Sequence, residues 1–249
     1  MGIAVPSCRE IEEEEMEKNR TGRVGIGVFA LVTILAAMLL IAPAPGAMAA
    51  GEEDAQGIVD NARVTLGGFI RDDNYSWMRD HIKDAKGVLI YPQVLKAGFI
   101  WGGSGGTGVL LSRDGKTGDW SNPAFFTMGS VTFGLQIGGE SAEIVLLVMS
   151  EKGMDSLLTS EFKLGGDASV TLGPVGGGAK SDVTTDFLSF SKSKGLYAGM
   201  NLEGSYISVR ESLNEGYYGK AVTPVDIVVK QSVSNMGADR LREELKKTK

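Results

Sequence analysis

The apolar positions of residues 52–72 recur every three or four residues, which is the period of an amphipathic helix. The residues that carry this period are Ile58, Val59, Ala62, Leu66, Phe69 and Ile70. Two interpretations of the apolar face stay open, because it can dock on a sheet or lie in the interface of a bilayer. A second, shorter helix is predicted over residues 75–83.

From residue 87 onward the pattern becomes one of short strands. Residues 87–91 form an apolar run that we expect Pro92 to end. Strand-like pieces follow at 99–101, 108–112, 125–128 and 131–136, and the glycines of 102–108 predict a structural hairpin. Asp114-Gly115 predicts a tight turn over 113–118. Residues 144–149 are wholly apolar, which is typical of a strand in the middle of a sheet.

The remaining chain continues this alternation of elements. Ser150 predicts the start of a helix that runs to about 158, followed by strands at 168–172, 186–191, 195–200 and 205–209 and a last helix at 227–247. Helices at both termini with strands between them define the α+β class. We expect a curved antiparallel β-sheet, or a partly closed barrel of short Gly-rich strands, because glycines inside strands permit tight bends.

The N-terminal segment has the order of a secretory signal. Arg20 and Arg23 precede an uncharged run at 24–42, and small residues at 47–49 predict cleavage after Ala49. The run could also span a bilayer as an uncleaved anchor, which needs roughly 20 residues. The acidic residues of 10–15 are unusual before a signal, and a start at Met16 would remove them. The predicted organisation is therefore a signal or anchor at 1–49 and a single domain at 50–249.

Charge and cysteine usage exclude several classes of function. The chain has 25 basic and 31 acidic residues, and loss of residues 1–49 would leave a net charge of −4. This balance argues against a broad nucleic-acid surface. The single cysteine, Cys8, lies in the predicted signal, so the predicted domain has no disulfide, thiol nucleophile or cysteine-bound metal. It also has no cysteine at the cleavage site for a lipoprotein anchor.

Residues that could carry chemistry are few. The single histidine, His81, lies beside two aspartates and reads as a surface helix residue, so Ser121 lacks a histidine base. The carboxylate pairs Glu140 with Glu143 and Asp182 with Asp186 match no EF-hand spacing. The glycine run at 102–108 lacks the Gly-Lys-Ser/Thr ending of a P-loop. We therefore predict no enzyme activity, no catalytic residue, no metal and no cofactor.

Several ordered motifs resemble the SYLF family, also called the Ysc84 actin-binding or lipid-binding SYLF domain. Together they span about residues 55–230. The motifs are Lys96-Ala97-Gly98-Phe99, Trp101-Gly102-Gly103, Gly105-Gly106-Thr107-Gly108, Trp120-Ser121-Asn122-Pro123, Gly173-Pro174, Phe190-Ser191-Lys192-Ser193-Lys194-Gly195, Asn214 and Tyr217-Tyr218-Gly219. The resemblance implies a domain that binds membrane phospholipid without catalysing a reaction.

On this interpretation, cationic side chains would attract anionic headgroups and an aromatic side chain would insert beside them. The candidate lipid-binding residues are Lys83, Lys86, Lys96, Arg113, Lys116, Lys192, Lys194 and Trp77. We expect Trp101 and Trp120 to pack inside the domain.

The predicted signal and the resemblance together imply an exported protein, periplasmic or associated with the bacterial cell envelope, or anchored there by residues 24–42. Its expected partner is a phospholipid membrane surface, with envelope proteins as a further possibility. Actin, the partner named for the family, would not meet an exported protein. Two alternatives stay open: a structural or protein-interaction domain of the envelope without lipid binding, and a hydrolase with an unrecognised site.

Overall fold

A long helix and a short one open the part of the chain that the computed structural model describes, namely residues 45–98, 101–133, 138–176, 184–193 and 201–248. Helix α1 (Pro45–Arg71) buries one apolar face against the sheet, which is the docking interpretation of its pattern. Two 3-10 turns (Asp73–Tyr75 and Ile82–Asp84) flank helix α2 (Ser76–His81). Among the described residues, no helix is long and apolar enough to cross a membrane.

The described residues contribute eight strands to one sheet. These are β1 (Gly87–Gly98), β2 (Trp101–Ser112), β3 (Ala124–Phe133), β4 (Gly138–Val148), β5 (Glu161–Lys163), β6 (Val170–Leu172), β7 (Phe187–Ser193) and β8 (Tyr206–Val209). Their order is β5-β8-β3-β2-β1-β4-β7-β6, and every pairing is antiparallel except β6 with β7. The sheet curls into a half-barrel, which confirms the predicted α+β class.

The middle of the sheet is the pair β1 and β2, not the wholly apolar residues 144–149. These belong mainly to β4, an inner strand between β1 and β7. The prediction that β4 is buried is nevertheless correct, because its residues 144–148 are all buried. Both faces of the sheet are covered there, and a strand covered on both faces is apolar throughout. An uninterrupted apolar run therefore indicates burial but not position in the strand order.

Strand β1 continues through Pro92, so the prediction that this proline ends the strand is wrong. The register against both neighbouring strands shifts here, between Ile90 and Gln93 on one side and between Tyr91 and Val94 on the other. Each shift places one extra residue on β1, which is a β-bulge. A bulge tolerates proline because the residue in it does not need to donate a ladder hydrogen bond.

The glycine run at 102–108 is part of β2 and not a hairpin, and residues 125–128 belong with 131–133 to the single strand β3. The bulge explains two of the glycines. A Cβ atom at Gly108 would lie 2.4 Å from the Ile90 carbonyl oxygen, and one at Gly106 would lie 2.3 Å from that of Gln93. Glycine is required at these two positions because the bulged backbone of β1 presses against β2.

The remaining helices are short. They are α3 (Glu151–Leu157), whose N-cap is Ser150, α4 (Glu211–Tyr218), a π-helix at Val225–Val229, a 3-10 turn at Met236–Ala238 and α5 (Asp239–Lys246). The predicted single helix over 227–247 is therefore wrong. Gln231 has a φ of 49°, in the left-handed region, so the chain reverses after the π-helix.

Two apolar cores explain why the C-terminal segment cannot be one straight helix. Ile227 and Val228 lie in a core on the face of the sheet that packs against α3. Leu241 and Leu245 lie in the core on the other face, which packs against α1 and is called the α1 face below. A segment whose residues pack into the cores on both faces of the sheet must change direction between them. Periodicity alone does not show which face of a sheet an apolar residue will meet.

Candidate functional site

The predicted lipid-binding residues do not form one cluster. Lys83, Lys86, Arg113 and Lys116 lie at the end of the sheet where β1 begins and β2 ends, since Gly87 pairs with Ser112 there. Lys96 lies near the other end of β1, and Lys192 lies near the end of β7. Lys194 is outside the described residues. The structure thus brings together four of the cations and separates them from Lys96 by most of the length of β1 and from Lys192 by about half of it.

Two of these lysines are already paired. Lys86 Nζ lies 2.6 Å from a Glu151 carboxylate oxygen. Lys192 Nζ donates a hydrogen bond of 2.8 Å to Asp72 and lies 6.0 Å from the centre of the Tyr75 ring. The hydrogen bond from Lys192 lowers the pKa of Asp72 below its usual range. By contrast, Lys83 and Lys116 are exposed.

Trp77 is half-buried and belongs largely to the α1-face core. Its ring stacks on His81 with the centroids 3.9 Å apart and faces Phe190 at 6.2 Å. His81 Nδ1 lies 2.7 Å from the Trp77 carbonyl oxygen, so the histidine is tied to its own helix. Trp120 is buried as predicted, and the side chain of Trp101 is outside the described part. Contact of Trp77 with lipid stays a prediction.

Ser121 and Asp186 have structural partners. The buried Ser121 hydroxyl accepts a hydrogen bond from the Ser112 backbone N–H and donates one to the Asn122 carbonyl oxygen, each of 2.9 Å. Asp186 accepts hydrogen bonds from Ser150 and Ser169, while Asp182 is outside the described residues. Within the described ranges, no group of three potential metal ligands occurs.

A groove of about 780 Å³ lies between α1 and the half of the sheet that contains the end of β1 and the start of β2. The sequence did not predict this groove. It is lined from α1 by Ile58, Asn61, Val64 and Thr65, from β1 and β2 by Pro92, Gln93, Leu95, Gly105, Gly106 and Thr107, and from β4 and β7 by Ser141, Glu143, Lys192 and Ser193. It unites segments that are up to 135 residues apart in the chain.

The groove arises because side chains become small or polar along the strands of the α1 face. On β2, Leu111 and Val109 lie in the core, but Thr107 and Gly105 line the groove. On β4, Leu147 and Val145 are followed in the same way by Glu143 and Ser141. Side chains on one face recur every second residue, so each strand passes directly from core to groove.

The residues that β4 and β7 contribute to the lining are all polar and are called the polar side below, whereas the aliphatic residues contributed by α1 and β1 are called the apolar side. Val64 of α1 and Leu95 of β1 face it with 57% and 55% of their surfaces exposed, which is high for aliphatic residues. On the β4–β7 side, Glu143 accepts a hydrogen bond of 3.0 Å from Thr65, beside Lys192. A groove with an apolar side and a charged side can hold an amphiphile.

A curled sheet packed against one long helix, with an open groove between them, defines a domain of the α+β class. Residues 129–248 match the family described as Ysc84: Las17-binding protein actin regulator. This match confirms the resemblance drawn from the sequence motifs, and over these residues the chain is similar to Ysc84 (SYLF) domains. Glu143 and Lys192 lie inside the matched range, whereas Val64 and Leu95 precede it.

Three curated relatives are similar to this chain. Protein YSC84 of Saccharomyces cerevisiae is 38% identical over 151 residues, which is 57% of this chain and 31% of the yeast protein. LAS seventeen-binding protein 3 of the same yeast is 37% identical over 58% of this chain and 32% of its own length. SH3 domain-containing YSC84-like protein 1 of Bos taurus is 30% identical over 66% of this chain and 49% of its own length. The matches thus cover about a third to a half of these relatives.

Proposed function

We propose that this chain is a non-enzymatic phospholipid-binding protein and that the groove beneath α1 is its binding site. The observation that carries the proposal is the groove itself, whose lining combines exposed Val64 and Leu95 with Glu143 and Lys192. Its volume is within the range of about 300–1,000 Å³ that is usual for sites that enclose a small ligand. Such a site accepts part of a lipid molecule and not a patch of bilayer.

The proposed location is the cell envelope, on the basis of the signal-like residues 20–49. Lys83, Arg113 and Lys116 share one end of the sheet and would attract an anionic membrane surface, at roughly 1 kcal/mol for each cation near the lipid. Lys86 lies at the same end, but its charge is compensated by Glu151. Salt screens this attraction but leaves apolar contact in the groove largely unaffected. The two contributions can therefore be separated by their dependence on ionic strength.

Flotation of the full chain with neutral and with anionic phospholipid vesicles, at low and high salt, tests the proposal. The informative variant carries Val64→Asp and Leu95→Asp, which place carboxylates on the apolar side of the groove. We expect this variant to have a lower partition coefficient at high salt than the unmodified chain, because two charges would have to be buried beside the lipid chain.

A matched control carries Val131→Asp and Met236→Asp at positions that are 82% and 87% exposed and outside the groove. All three proteins share the N-terminal apolar run, so a difference between them reports on the groove alone. Equal flotation of the groove variant and the control, or no flotation of any protein, would refute the groove as the lipid site.

A second candidate function is the binding of a protein partner, which the description of the matched family favours through the words Las17-binding and actin regulator. Co-sedimentation of the full chain with filamentous actin tests it. The hydrolase alternative would need a nucleophile, and Ser121 is buried with its hydroxyl engaged. An esterase screen with Ser121→Ala as the control addresses that alternative.

A further inference from the structure

Two opposite charges face each other across the polar side of the groove without forming an ion pair. Glu143 of β4 and Lys192 of β7 are directly paired in register. Opposite charges at such positions commonly interact. Here Lys192 donates a hydrogen bond to Asp72, and Glu143 accepts one from Thr65. Glu143 and Lys192 are not within ion-pair distance of each other. The two groups therefore present separate charges to the groove.

The charges of this site do not balance. The positive charge of Lys192 is compensated by Asp72 at 2.8 Å. The carboxylate of Glu143 receives only the Thr65 hydroxyl, and no cation of the described residues lies within 4.0 Å of it. Counting Asp72, Lys192 and Glu143, the three charged groups that the structure describes here, the polar side carries an excess of one negative charge. An occupant that brings only negative charge would be repelled by this excess.

From this arrangement we infer that the groove recognises a single-chain zwitterionic amphiphile, with its ammonium group at Glu143 and its phosphate at Lys192. The inference rests on the proposed function and specifies its ligand class. It replaces the expectation of a purely anionic headgroup at Lys192. Lys192 can donate a hydrogen bond to a phosphate while it donates one to Asp72, because an ammonium group has three donors.

The apolar side of the groove determines how many hydrocarbon chains of the ligand it can hold. Ile58, Val64 and Leu95 form its aliphatic surface, and the bare backbone of Gly105 and Gly106 forms part of its floor. Because the groove holds about 780 Å³ in total, one hydrocarbon chain with its headgroup fits better than a lipid with two chains. A second chain would have to remain outside, in a membrane or in water.

A series of amphiphiles with the same twelve-carbon tail tests the inference on the full chain. The probes are dodecylphosphocholine, dodecyl phosphate and dodecyl maltoside, each titrated by calorimetry below its micellar concentration. We expect the zwitterionic probe to bind about fivefold to tenfold more tightly than the anionic one, which corresponds to about 1 kcal/mol. Glu143→Gln should abolish this preference and still accept the hydrogen bond from Thr65.

Glu140→Gln is the matched control, because Glu140 lies on the same strand, is exposed and does not line the groove. It should retain the preference of the unmodified chain. Equal or tighter binding of dodecyl phosphate, or an unchanged preference in Glu143→Gln, would overturn the inference and leave the proposed function standing. If none of the three probes binds, the groove is not an amphiphile site and both proposals fail.

Discussion

The α1 face of the sheet has a filled half and an open half on the same strands. In the filled half, Val109 of β2 and Val145 of β4 are fully buried beneath α1. In the open half, Thr107 and Glu143 of the same strands line the groove. The stabilising core and the proposed binding site are thus separated by position along each strand. Changes in the two halves should therefore affect different measurements.

The largest expected difference is between two leucines. Leu147→Ala in the filled half should lower the free energy of unfolding by about 2–5 kcal/mol, because it leaves a cavity in a closed core. Leu95→Ala in the groove should change it by no more than about 0.5 kcal/mol, because the side chain is already half exposed. Urea unfolding monitored by tryptophan fluorescence checks both values. A loss above 2 kcal/mol in Leu95→Ala would show that the groove is closed.

The boundary between the two halves is the bulge in β1, and Gly108 tests its rigidity. Gly108→Ala should destabilise the fold by about 1–3 kcal/mol, since the new methyl group would overlap the Ile90 carbonyl oxygen and the Tyr91 ring. Gly129→Ala in β3 is the control, because nothing lies within 4 Å of a Cβ atom there. Similar melting temperatures for the two variants would mean that the backbone of the bulge moves to accommodate the new methyl group.

A smaller effect is expected where the groove meets α1. Thr65→Val keeps the shape of the buried side chain but removes the hydrogen bond to Glu143. The expected loss is about 1 kcal/mol of unfolding free energy. Equilibrium unfolding at neutral pH measures this loss. A gain in stability would contradict the view that the Thr65–Glu143 contact supports the groove.

The smallest effect is a dependence on pH. The lowered pKa of Asp72 means that its pairing with Lys192 stabilises the fold above the unfolded-state pKa of about 3.9, and that this stabilisation is lost as pH falls through the lower folded-state pKa. Lys192→Met should therefore cost less than about 1 kcal/mol between pH 5 and 7. The cost should shrink below pH 4. Lys83→Met, at an exposed position, should show no such change; a constant cost in Lys192→Met would refute the linkage.

The sequence predicted the elements whose pattern is local. The period of α1, the Ser150 cap of α3 and the Asp114-Gly115 turn each lie within one segment and were found correctly. The extent of β1 and β2 was missed, because proline and glycine usually interrupt strands. Here a bulge accepts Pro92 and requires Gly108. These two exceptions explain each other only when the strands are seen side by side.

The groove could not be predicted in the same way. Its lining comes from α1 and four strands. No local pattern in the sequence predicts the strand order that brings these elements together. One signal was available: Ser141 and Glu143 precede the wholly apolar residues 144–148, so the strand changes character within its own length. The family resemblance implied a lipid ligand but gave no reason to place Val64 and Glu143 in the lining of one groove.

The bulge at Pro92 also determines which face of the sheet each later residue of β1 faces. Before it, Ile90 faces α1, and an unbroken alternation would direct Val94 to the same side. With one extra residue inserted, Val94 lies in the opposite core and Leu95 faces the groove. Deleting one residue here would exchange the two, although every side chain would keep its identity. The lining of the groove therefore depends on a count of residues as well as on their chemistry, and the proposed ligand specificity could change in evolution through a single codon lost or gained.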